Sequence, residues 1–170
     1  MRSTPALPLL LAFAVPAWAD SPPGQVVQPE DGQFSVRFPG RPKESKQKTK
    51  TDLGNLTVFT ATYAFEDGGV LAASYTTFPD DAVKAAGRKT MLDGAAKGLL
   101  GKNGKLLGEK DIDIGMEKGR EVLIDRGKQR LRYRLTVKDN RLIQVGVVGS
   151  RDFVDGKEAL AFLGSFHFKE

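Results

Sequence analysis

From Gln33 onward, apolar and polar residues alternate with a period of two over most of the chain. Phe34, Val36 and Phe38 alternate with Ser35 and Arg37 and stop at Pro39-Gly40, the pattern of a half-buried strand. The stretch Lys43–Thr51 alternates polar types and sets Lys46, Lys48 and Lys50 on one side, which predicts an edge strand guarded by lysines. Residues 56–65 and 70–78 are rich in β-branched and aromatic types, and Glu66-Asp67-Gly68-Gly69 between them predicts a hairpin. Residues 106–114, 120–126, 129–137 and 142–150 continue as a meander of four strands.

The period changes to helical in two places. Pro79-Asp80-Asp81 opens a long helix in which Val83, Gly87, Met91, Ala95 and Leu99 recur on one side, with Lys97 and Lys102 towards its end. Gly87, Gly94 and Gly98 each weaken such a helix by roughly 1 kcal/mol against Ala, and close packing on the sheet is the reading given to them. A short helix over residues 157–163 precedes Ser165-Phe166-His167-Phe168, which adds a last strand. The predicted fold class is α+β, an antiparallel β-sheet meander flanked by one long and one short C-terminal helix.

Two hairpins are specific enough to predict register. A two-residue Gly127-Lys128 turn sets Ile124 against Leu131 and Val122 against Tyr133 on the buried side, with Asp125 facing Arg130 and Glu121 facing Arg134 on the outer side. For the next hairpin a three-residue loop, Lys138-Asp139-Asn140 with Asn140 left-handed, pairs Leu135 with Ile143, Tyr133 with Val145 and Leu131 with Val147. A two-residue loop puts Arg134 against Val145 and is rejected on that ground.

The N-terminus changes the setting in which this domain works. Arg2, an apolar stretch over residues 6–15, Pro16 and the small-x-small triplet Ala17-Trp18-Ala19 form the three-part layout of a secretory leader, with cleavage expected between Ala19 and Asp20. The stretch is too short, and too interrupted by Pro5, Pro8 and Pro16, to span a bilayer. The expected organisation is therefore a signal peptide over residues 1–19, a flexible leader over 20–32 and a single domain over 33–170. The product is expected to be periplasmic or secreted, with no integral membrane segment after cleavage. With no cysteine there is neither a disulfide framework nor a lipid attachment point, so an ordinary core must hold the fold together. The remaining chain of roughly 150 residues is long enough for one.

The chain has 26 Lys and Arg against 21 Asp and Glu, and losing Arg2 with the leader lowers the excess by one. Export, this mild charge and the lack of a zinc-finger or RNP pattern argue against a nucleic-acid partner. An anionic lipid, polysaccharide or acidic protein remains open. Lys128, Arg130, Arg132 and Arg134 share one parity opposite Leu131, Tyr133 and Leu135. They are either an anion-reading surface or a solvated face whose charges are matched by Glu121 and Asp125, and the register favours the second. Arg132 faces Leu123, has no acid across the strand and is the best candidate in that file for an external contact. Arg130, Arg134, Lys46, Lys48 and Lys50 complete the set of possible anion or partner contacts, with edge protection the favoured reading of the lysines.

Other chemistry is weakly represented. His167 is the single histidine, and with no cysteine it cannot build the usual zinc sites. Glu109, Asp111 and Asp113 share a strand face but lack the calcium-loop pattern, and pairing with a basic neighbour strand explains them better. They are also the one motivation for a carboxylate-based hydrolase. Gly98, Gly101, Gly104 and Gly108 match no nucleotide-binding fingerprint, and Ser45 to Lys48 matches S-x-x-K without its companion motifs. No cofactor and no metal is expected.

The order of elements, with Phe34-Ser35-Val36-Arg37-Phe38-Pro39-Gly40-Arg41-Pro42-Lys43, Gly119-Arg120-Glu121 and Phe162-Leu163-Gly164-Ser165-Phe166, resembles small exported bacterial proteins of the PsbP-like fold. The resemblance implies an α/β/α sandwich and a non-enzymatic accessory or binding role, its partner unknown. No metal-binding or photosystem-docking residues of that family match here, so photosynthetic function is not carried over.

Overall fold

A computed structural model of the protein describes residues 24–51 and 54–169. The expected secretory leader and its cleavage site lie outside the described residues. Strands β1 (Gln25–Val27) and β2 (Phe34–Phe38) come first, followed by β3 (Lys43–Thr51), β4 (Gly54–Ala64) and β5 (Val70–Thr77). Helix α1 (Asp80–Leu100) leads to β6 (Lys105–Ile114), β7 (Glu117–Asp125), β8 (Arg130–Lys138) and β9 (Arg141–Gly149). The chain closes with α2 (Arg151–Val154), α3 (Lys157–Gly164) and β10 (His167–Phe168).

Seven strands form one antiparallel sheet in the order β3-β4-β5-β9-β8-β7-β6, and β1, β2 and β10 form a small second one. The large sheet is two meanders joined by α1. Two helical stretches on either side of Gly87 make up α1 and carry the chain from β5 past the intervening strands to the far edge at β6. The second meander then returns until β9 pairs with β5.

Each face of the sheet carries its own apolar cluster. Val122, Ile124, Leu131, Leu135, Val137 and Leu142 pack with Leu92, Met91, Ala95 and Leu99 of α1. On the opposite parity Ile143, Val145 and Val147 join Leu71, Ala73 and Tyr75, and pack with Phe34, Val36 and Phe38 of β2 and Phe162 and Leu163 of α3. Full burial of one such side chain contributes about 1.5–3 kcal/mol, so these two clusters carry most of the stability.

The β7–β8 register is the predicted one, with Ile124 opposite Leu131, Val122 opposite Tyr133, Asp125 opposite Arg130 and Glu121 opposite Arg134. The β8–β9 register is not. Lys138 pairs with Arg141 around a two-residue Asp139-Asn140 turn, which sets Arg134 against Val145, Leu135 against Gln144 and Tyr133 against Gly146. The left-handed residue is Asp139, at φ 51°, rather than Asn140. The prediction assumed that a face carrying arginines cannot also carry core valines. Because both faces of β8 and β9 are covered, Val145 and Val147 lie under α3 beside those arginines.

Two further expectations need correction, and one element lies beyond them. Gln25–Val27, within the stretch read as leader, pairs with β2. Gly87 has φ 74° and ψ 154° and breaks α1, while a Cβ on Gly87, Gly94 or Gly98 would meet nothing within 4 Å. Close packing therefore explains none of these glycines; at Gly87 the reason is the left-handed backbone. Finally, α2 escaped notice because a single turn has no periodicity, although Ser150 caps it by accepting from the Phe153 amide at 3.2 Å.

Candidate functional site

Arg130, Arg132 and Arg134 point from β8 towards the helices that close the chain. Arg130 Nη1 lies 3.2 Å and Arg132 Nη2 2.7 Å from the two carboxylate oxygens of Asp155, which caps the C-terminus of α2. Arg134 Nε donates to Glu121 Oε2 at 3.1 Å and its Nη1 donates to the Leu163 carbonyl at 2.8 Å. Their side chains are 15%, 20% and 29% exposed. The file fastens α2 and α3 to the sheet. Arg132, expected to lack an acid, receives one from a distant part of the chain.

The acidic strand face is matched as well. Arg120 Nη1 lies 2.7 Å from Asp93 of α1 and 2.8 Å from Glu109, and Lys118 lies 2.7 Å from Asp113. Asp111 stands opposite Arg120 in the register. His167 is exposed, with Nδ1 2.9 Å from the Ser165 carbonyl oxygen. Among the described residues, no group of three His, Cys, Asp or Glu side chains is placed to hold a metal ion.

The lysine file behaves differently. β3 is an edge strand, and Lys46, Lys48 and Lys50 face the same side as Phe59 and Tyr75. Lys46 Nζ meets Asp31, in the β1–β2 connection, at 2.5 Å. That hydrogen bond lowers the Asp31 carboxyl below its ordinary range and raises the Lys46 ammonium. Among the described residues, Lys48 and Lys50 have no ion-pair partner.

Pairing extends the file inward across the sheet. Lys48 stands opposite Thr57, Thr57 opposite Thr77, and Thr77 opposite Arg141, one residue from each of four adjacent strands. With Asp31, Lys46 and Tyr75 they line an open cleft of about 290 Å³ at the end of the sheet, where the core gives way to polar residues. Tyr75 forms its floor, stacked on Phe59 at 5.4 Å, and burial raises its phenol. Arg141 has a buried Nε without a hydrogen-bond partner. Its neighbour Lys138 is turned away, 4.5 Å over the Phe168 ring.

Sequence reasoning placed Lys46, Lys48 and Lys50 on one edge but missed Thr57, Tyr75, Thr77 and Arg141. No spacing signals them, since they come from three strands brought together only by pairing.

No family model and no curated protein matches the chain. Among solved structures it is similar to the solution structure of cyanobacterial PsbP (CyanoP) from Synechocystis sp. PCC 6803, with a TM-score of 0.57 at 14% identity over 94% of this chain and 99% of that one. A Pseudomonas aeruginosa protein of unknown function superposes with a TM-score of 0.36 at 10% identity, over 78% and 86% of the two chains, too low to relate the folds. At such identity the likeness to CyanoP speaks to architecture alone, and in architecture this chain has the PsbP-like fold.

Proposed function

We propose that the chain is an exported, non-enzymatic accessory or binding protein of the cell envelope, which engages an anionic component at the cationic end of its sheet. The observation that carries this reading is the cleft flanked by Lys46, Lys48 and Arg141, where three cations share the single carboxylate of Asp31 and Lys48 has no ion-pair partner among the described residues. The leader layout in the sequence supports export, and the PsbP-like fold supports an accessory role by analogy of fold. The carboxylates of Asp31, Asp93 and Glu121 are each held below their ordinary range by basic partners, unlike a general acid tuned towards neutrality. Arg130, Arg132 and Arg134 enter this reading as fasteners of the C-terminal helices.

The test is fractionation of cells producing the full chain, with N-terminal sequencing, followed by retention of purified protein on native envelope material. A mature N-terminus at Asp20 and retention weakened by Lys48→Glu or Arg141→Glu support the reading. An intact N-terminus in the cytosol, or turnover of a defined substrate abolished by a point change, overturns it.

A further inference from the structure

We infer that the cleft between Lys46, Lys48, Thr57, Tyr75, Thr77 and Arg141 binds a phosphate monoester. The inference rests on the anion-binding reading above and names its ligand class. Three cations line the cleft against the single carboxylate of Asp31, which leaves a positive excess that a dianion neutralises and a monoanion does not. The donors fit the same group. Arg141 offers a planar guanidinium fork and Lys48 an ammonium without an ion-pair partner among the described residues. The Thr57 and Thr77 hydroxyls, side by side in the register, have no hydrogen-bond partner among the described residues. A phosphate monoester has three terminal oxygens to accept from these groups, whereas a carboxylate or a phosphodiester has two. The space of about 290 Å³ takes the phosphate and the first atoms of its ester, and the open mouth leaves the rest of the ligand in solvent.

Protonation separates this ligand from other anions. The ionisable groups lining the cleft are Asp31, Lys46, Lys48, Tyr75 and Arg141, with Lys50 and Lys138 on the flanking rows of the same face. None of these residue types ordinarily titrates between pH 5 and 8, and Asp31 is moved further down and Lys46 further up. A phosphate monoester loses its second proton near pH 6. Affinity is therefore set to rise with pH through that value because of the ligand, and to stay flat for a sulfate monoester.

The experiment titrates the protein, by calorimetry and amide chemical shifts, with glycerol 3-phosphate and with methyl sulfate at pH 5 and pH 7.5. A parallel arm measures retention on phosphatidylcholine vesicles carrying phosphatidic acid or phosphatidylglycerol. The expected result is saturable glycerol 3-phosphate binding that shifts Thr57, Thr77 and Arg141, strengthens at the higher pH and exceeds that of methyl sulfate. Arg141→Gln is expected to weaken it about tenfold. Thr57→Val with Thr77→Val, which keeps shape and charge, is expected to weaken it by a similar factor. Binding to phosphatidic acid vesicles without binding to glycerol 3-phosphate assigns the monoester to a lipid headgroup and supports the inference. Binding to neither overturns it, as does equal response to sulfate, or affinity unchanged in both variants with their thermal unfolding intact. Retention on envelope material with no monoester binding overturns this inference alone and leaves the broader reading standing.

Discussion

Arg132 of β8 and Asp155 at the end of α2 meet at 2.7 Å, and the second oxygen of the same carboxylate holds Arg130. One carboxylate thus ties a sheet face to the turn between two helices. Arg132 and Arg130 are mostly covered, so removing their partner leaves cations that water reaches poorly.

Asp155→Ala is expected to lower stability by about 1–2 kcal/mol, between the values for exposed and for buried pairs. Urea unfolding monitored by circular dichroism checks this. A change within a few tenths of a kcal/mol would show that the pair is solvent-screened.

The glycines of α1 are expected to respond in opposite directions. Gly94→Ala meets open space in a helical backbone and is expected to stabilise by about 0.5–1 kcal/mol. Gly87→Ala puts a Cβ on a residue at φ 74° and is expected to cost about 1–2 kcal/mol. Thermal unfolding of both variants decides the matter; a loss on Gly94→Ala would restore the packing role first read into it.

Tyr133 lies over Gly146, where a Cβ would come within 2.4 Å of its ring. Gly146→Ala is expected to cost about 1–3 kcal/mol through overpacking. Combining it with Tyr133→Leu should give a loss smaller than the sum of the single losses, and strict additivity in the double-mutant cycle would dismiss the contact.

Burial pushes the Glu121 carboxyl up, but hydrogen bonds from Arg134 and Lys110 outweigh it and leave the group below 4.5. A carboxyl whose folded value is depressed contributes stability that is fully present above its unfolded value and is lost as pH falls through the folded one. The urea midpoint is accordingly expected to fall below about pH 4.5, and less steeply in Glu121→Gln. Equal slopes for the two proteins would remove Glu121 from the acid response.

Single residues illustrate how far the sequence can be read. Asp125 facing Arg130 and Glu121 facing Arg134 were legible because two independent patterns, apolar and charged, agreed on one register. Val145 facing Arg134 was not, since the usual rule that one strand face is core and the other solvent fails when helices cover both. In the candidate site Lys46 and Lys48 were visible as a file on one edge. Arg141, at the start of a strand after a tight turn, carries no mark of its place at the cleft until β9 is set beside β5.

The long strands and helices, the edge position of the lysines and the β7–β8 pairing are legible in the sequence, because side-chain period and turn chemistry act over a few residues. Which acid meets Arg132, why a glycine stands at position 87 and which residues gather around the cleft follow only from the assembled fold. Those depend on the order of strands in the sheet and on which layers cover it, and contacts between residues far apart in the chain leave no local pattern to read.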